Sequence, residues 1–280
     1  MPRPHVEFIQ SQRIAWRPHT EGLLAGTDSR ELSADPLTGA CTRVVRYPPG
    51  YQGAAVRGLD ADEELFVLDG ALLIDGRRFA HHAYAFLPAG HPRGVVRSDG
   101  GAVVLSFYSA RPAILDAPWR GDSPAARLIE HIDCYAVPWE PVRYKEMRSG
   151  ALRKPLRKDP VTGDETWLLT SPPHGMPPGG AGARETHPTV VEVYGLDGDL
   201  HGNCGVMRPG AYFWRPPGIL HGPYGTRRGA TSLYRTVGGP LVAEWTADKA
   251  PFSYDPPYTP VLPPGLELLP EPASADESPF

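Results

Sequence analysis

The chain has 280 residues, 41% of them hydrophobic and 21% charged, with a formal net charge of −4, which predicts a packed globular protein of one large or two ordinary domains. The slight negative charge and the lack of any basic run exclude nucleic acid and anionic membrane surfaces as expected partners. No apolar run approaches the ~20 residues of a membrane span.

The segment MPRPHVEFIQ at the start offers no apolar signal region. The three cysteines, Cys41, Cys134 and Cys204, are scattered and form no CxxC pair. They point to a reducing, cytoplasmic setting without a disulfide framework. The 34 prolines and 31 glycines argue against long helices and for short strands joined by turns.

Taken in order, the chain repeats itself. Val6–Pro18 (VEFIQSQRIAWRP) is answered by Ile129–Pro141 (IEHIDCYAVPWEP), and Asp35–Pro49 (DPLTGACTRVVRYPP) by Asp159–Pro173 (DPVTGDETWLLTSPP). Glu64–Gly70 (ELFVLDG) is then answered by Glu192–Gly198 (EVYGLDG), and Pro88–Gly90 by Pro216–Gly218. The blocks keep their order, and the last two share one offset of 128 residues. A tandem of two similar domains is expected, 1–112 and 113–247, followed by a proline-rich tail, 248–280, extended and frayed at its end.

Strands are expected at Thr42–Tyr47, Leu65–Asp69, Ala71–Ile74, Tyr84–Leu87 and Ala102–Ser106 in the first half. In the second they are expected at Trp167–Thr170, Thr189–Leu196, Ala211–Arg215 and Thr231–Thr236. A short helix is expected at Ser123–Ile129, where Ser123 offers an N-cap and Pro124 the first helical position. The class is all-β, a sandwich or barrel.

The chemistry concentrates in the second half. Glu185, His187 and Glu192 follow the spacing E-x-H-x₄-E, and Gly210–His221 (GAYFWRPPGILH) ends on a second imidazole. Residues i and i+2 of a strand share a face, so Glu185 and His187 point together. Two carboxylates and two imidazoles turned onto one point suit one divalent ion of Fe, Mn or Zn, with Ni or Co also open. The bland alternative is a set of solvated strand residues, favoured by the polar, loop-like GARET. His221 at a matching spacing in a distant segment weighs against it.

These two stretches resemble the two motifs of the cupins, G-x₅-H-x-H-x₃₋₄-E-x₆-G and G-x₅-P-x-G-x₂-H-x₃-N. With the tandem, the chain is similar to bicupins, and its EELFVLDG and PAG phrases to the branch holding ChrR-like and uncharacterised bacterial cupins. The resemblance covers most of 1–247. It implies two tandem double-stranded β-helix (jelly-roll) barrels, a metal held by Glu185, His187, Glu192 and His221, and a homodimer. Three positions depart from the pattern. Glu185 stands at the first histidine, Gly225 at a common asparagine, and the glycine after Glu192 comes one residue early.

In the first half Arg57, Leu59, Glu64 and Arg93 stand at the positions of Glu185, His187, Glu192 and His221. Arginine stays protonated and ligates no metal. This half is therefore expected to be a degenerate site. Either an inward arginine pairs with Glu64 in place of the ion, or the two arginines hold an anion, while for Arg57 alone a solvated loop is the expected place.

The functional expectation is a metal-dependent enzyme acting on a small molecule in the second barrel. The resemblance implies dioxygenase-type oxidoreductase chemistry first, with hydrolase, lyase or isomerase chemistry behind it. Glu185 is a ligand or, swung free, a general base. Tyr194, Tyr212 and Trp214 are candidates to line the substrate pocket, with ordinary core packing the better reading for two of the three. The alternatives are a non-catalytic metal or small-ligand sensor and a structural bicupin with a vestigial site.

Overall fold

The computed structural model describes residues 3–117, 121, 125–142, 150–263, 265–266 and 277–280. Among these the chain is all β, with antiparallel pairing throughout. Two single 3₁₀ turns, Ser11–Arg13 and Ala125–Arg127, are its only helical segments. The expected helix is thus corrected. Ser123 and Pro124 lie outside the described residues, three residues form a tight turn, and Ile129 already opens a strand. None of these helices is long and apolar enough to cross a membrane.

The chain divides into two compact units, residues 1–3 with 14–136, and residues 4–13 with 137–280. In unit 1 a ten-stranded sheet is centred on the long strand Glu63–Ile74. Its neighbours are Ala83–Leu87 and Ala102–Tyr108, and Cys41–Tyr47 lies beyond the latter. Ile129–Asp133, the start of the second repeat, pairs with Ala83–Leu87. The core joins Val45, Leu65, Val67, Leu72, Phe79 and Val104.

In unit 2 a seven-stranded sheet has Val190–Gly198 between Ala211–Arg215 and Ala230–Val237. Val6–Gln10, the start of the first repeat, pairs with Ala211–Arg215. Each repeat's leading strand therefore belongs to the unit formed by the other repeat. Phe8, Val191, Val193, Met207 and Phe213 form the core here. A separate ribbon pairs Ala181–Thr186 with Glu244–Pro251, so the polar GARET is a strand rather than a loop. Beyond it Tyr258 packs on Phe8 and donates to its carbonyl at 3.0 Å.

The repeat is written into the backbone at matched positions. Gly70 and Gly198 both have positive φ, +68° and +76°. A side chain at either would collide with the carbonyl of Gly101 or Gly229 respectively, so both positions demand glycine.

Candidate metal centre

Three side chains of unit 2 converge. Ligand atoms of Glu185, His187 and His221 all lie within 4.8 Å of one another. Backbone pairing brings them there. Glu185 and His221 form an antiparallel bridge, each N–H donating to the other's carbonyl at 3.0 Å. Two residues on, the Gly218 N–H donates to the His187 carbonyl at 2.9 Å. The bridge sets Glu185 opposite His221, and alternation brings His187 to the same face as Glu185.

Both rings are oriented from behind. His187 Nδ1 is 2.8 Å from the Val242 carbonyl, and His221 Nδ1 is 2.9 Å from the Ile219 carbonyl. A carbonyl only accepts, so each Nδ1 carries the proton and each Nε2 presents a lone pair. His221 Nε2 stands 3.7 Å from Glu185 Oε1. The ring centroids are 4.9 Å apart.

Burial sets the charge states. It lowers the pKa of His187, and that of His221 to about 3, where the nearby Arg215 charge adds to the effect. Burial pushes Glu185 up to about 7 against the opposing pull of Arg215. Neutral imidazoles with fixed tautomers are in the form that ligates a metal. Two imidazole nitrogens and one carboxylate, buried on one face of a cavity, fit a divalent cation.

That cavity has a volume of about 100 Å³ and is walled by Trp167, Phe213, Tyr224, Tyr234 and Trp245 beside the three candidate ligands. Arg215, 3% exposed, lines it too. Glu7 receives both Nε and Nη2 of Arg215, the former at 2.8 Å. Nη2 also donates to the Tyr224 hydroxyl at 2.8 Å.

The structure places the other expected residues elsewhere, and these are corrections. Glu192 faces away from the cavity, with Oε1 accepting from the Tyr212 hydroxyl at 2.6 Å and Oε2 from Arg235 at 2.6 Å. Tyr194 is buried on the same far face, 3.1 Å from the Ser11 hydroxyl. Tyr212 and Trp214 are buried there as well, and none of these side chains lines the cavity. The cause is strand phase. Val191, Phe213 and Arg215 take the cavity face, so their neighbours in sequence take the other.

In unit 1, Glu64 repeats the arrangement of Glu192, accepting from the Tyr84 hydroxyl at 2.7 Å. Tyr84 and Tyr212 stand at the common offset. A glutamate–tyrosine pair kept in both units, one of which lacks the other ligands, is a structural pair. Arg57 is exposed. Arg93 is buried and pairs not with Glu64 but with Glu63, at 2.8 Å.

Sequence reading missed Arg215, Glu7, Tyr224, Tyr234, Trp167 and Trp245. Arg215 was within reach, since assigning Phe213 to the core face carries Arg215 with it. Glu7 was not, because 208 residues separate it from Arg215.

Comparisons agree with this architecture. A protein of Nostoc punctiforme PCC 73102 described as a "putative dioxygenase" is 21% identical, covering 90% of this chain and 92% of its own, with a TM-score of 0.75. Protein Ylba from E. coli, of family-model DUF861, is 15% identical over 82% of this chain and 89% of its own, at a TM-score of 0.56. Bacillus subtilis oxalate decarboxylase is 14% identical over 85% of this chain and 78% of its own, at 0.52. At such identities the likeness carries the fold alone. No curated protein matches the chain. The model of the family described as "Domain of unknown function (DUF4437)" matches residues 10–239, and the chain belongs to that family.

Proposed function

We propose that the protein is a metal-dependent enzyme built from two tandem cupin barrels, with its metal centre in unit 2 at Glu185, His187 and His221. The observation that carries this reading is the pair of imidazoles whose Nδ1 atoms are tied to backbone carbonyls, clustered with the Glu185 carboxylate so that ligand atoms of all three lie within 4.8 Å of one another. Glu192 belongs to a structural pair, so the donor set is two histidines and one carboxylate. That set suits iron(II) of the non-heme oxygenase kind, and dioxygenase-type oxidation of a small molecule is the favoured reaction. The description of the Nostoc neighbour supports the same direction.

The bound ion would supply Lewis acidity and open positions for substrate. The protein's own groups do the rest. His187 and His221 hold their lone pairs in place without reorganisation, and Glu185, which gives up its proton when the ion binds, supplies the negative charge. Trp167, Phe213 and Trp245 exclude water and admit only a compact substrate into about 100 Å³. Tyr234, stacked on Trp167 at 5.4 Å, lines the cavity, and burial raises its pKa to about 12. Its hydroxyl is thereby kept as a donor toward a substrate oxygen. Arg215 adds a fixed positive charge, neutralised from behind by Glu7.

Oxygen uptake tests this reading. Protein reconstituted with iron(II) is screened against small diketones, phenols and thiols, with His187→Ala as control. Substrate-dependent uptake that the control lacks is expected. A firmly bound ion with no turnover on any class would favour a non-catalytic metal-binding protein instead.

A further inference from the structure

Unit 1 holds a larger cavity, about 210 Å³, at the place equivalent to the metal centre. Its wall is largely apolar, including Leu24, Leu65, Leu72, Leu87, Val96 and Val104. An apolar cavity of about 150 Å³ already admits a benzene ring, so one ring with a small substituent fits here.

The charges in this wall are spent on one another. Arg93, 3% exposed, donates Nε to Glu63 at 2.8 Å, Nη1 to the His91 carbonyl at 2.8 Å and Nη2 to the Leu87 carbonyl at 3.2 Å. The other Glu63 oxygen accepts from the Tyr108 hydroxyl at 3.0 Å. An incoming anion meets an engaged guanidinium with a carboxylate beside it, and an incoming cation meets an engaged carboxylate. Neither ion is favoured.

Two hydroxyls on the same wall have no such engagement. Tyr47 is 8% exposed and Ser106 is 1% exposed, and neither side chain makes a hydrogen bond to the described residues. Both residues line the cavity, so a partner for either hydroxyl can come from a molecule inside it. Burial, reinforced by the Glu63 charge, holds the Tyr47 pKa well above its usual value, so it stays a neutral donor.

We infer that unit 1 binds a neutral single-ring molecule bearing a hydroxyl or carbonyl, of the phenol type, through apolar contact and the Tyr47 or Ser106 hydroxyl. The inference is independent of any metal in unit 2.

Calorimetric titration of the full chain with phenol, benzene and benzoate tests it. Phenol should bind at one site per chain, about fivefold tighter than benzene, the worth of one hydrogen bond, and benzoate should bind worst. Tyr47→Phe/Ser106→Ala should bring phenol down to the benzene level while leaving benzene unchanged. Val96→Trp, which fills the cavity, should abolish both while thermal unfolding stays cooperative; if that variant does not fold, the hydroxyl double variant decides. No phenol binding at millimolar concentration, benzoate binding as tightly as phenol, or phenol affinity indifferent to the hydroxyl double variant would each overturn the inference.

Discussion

Glu192 is held from two sides, by a tyrosine hydroxyl and a guanidinium, at a position 1% exposed. Its Oε2 neutralises Arg235, whose side chain is only 15% exposed. Glu192→Gln should therefore lower stability by about 2 kcal/mol, read by denaturant unfolding, and leave metal content unchanged. The clustering of Glu185, His187 and His221 was readable because an i, i+2 pair and a turn-spaced histidine survive any choice of phase. It misplaced Glu192 for a physical reason. Residues 191–194 are all buried, so the strand shows no polar and apolar alternation from which its phase could be read. Tyr194, Tyr212 and Trp214 followed the same misplaced phase.

At the scale of elements, the site is made by pairing. The bridge between Glu185 and His221 joins two segments that the sequence separates, and the ribbon Ala181–Thr186 with Glu244–Pro251 supports it. The strands expected from β-branched and aromatic runs are present, except that Leu65–Asp69 and Ala71–Ile74, expected as two, run on as the single strand Glu63–Ile74. Leu152–Lys158 and Glu244–Pro251 escaped notice because their charged residues and prolines hide the alternation. The leading strand Val6–Gln10 carries Glu7 to Arg215. Burial would raise the Glu7 carboxyl, but Arg215 and the His5 hydrogen bond hold it down at about 2. A depressed carboxylate stabilises above its unfolded value of 4.5 and loses that contribution as pH falls from there toward 2. The loss amounts to about 3 kcal/mol. Glu7→Gln should remove a comparable amount at neutral pH and flatten the acid limb of the stability curve, as followed by urea titration across pH 2–6. An unchanged acid limb in that variant would show the pair to be idle.

Over the whole molecule, the two units hold several residues at matched positions and differ in what faces inward. Leu59 and Arg93 of unit 1 stand where His187 and His221 stand in unit 2, and Leu87 stands where Arg215 does. Glycines with obligatory φ, Gly70 and Gly198, and the pairs Glu64–Tyr84 and Glu192–Tyr212 hold positions matched at the 128-residue offset that the sequence displays. The reciprocal placement of the leading strands was not legible, since strand pairing at a distance leaves no local mark in a sequence. Only unit 2 offers a metal-ligating cluster among the described residues. One ion per chain is expected, and Arg93→Ala should leave that stoichiometry untouched.

The most direct measurement is metal per chain by mass spectrometry, compared across the natural protein, His187→Ala/His221→Ala and Glu192→Gln. About one divalent ion is predicted in the natural protein and in the glutamine variant, and none in the alanine double variant. Metal retained after loss of both histidines, or lost from a folded Glu192→Gln protein, would contradict the centre assigned to Glu185, His187 and His221.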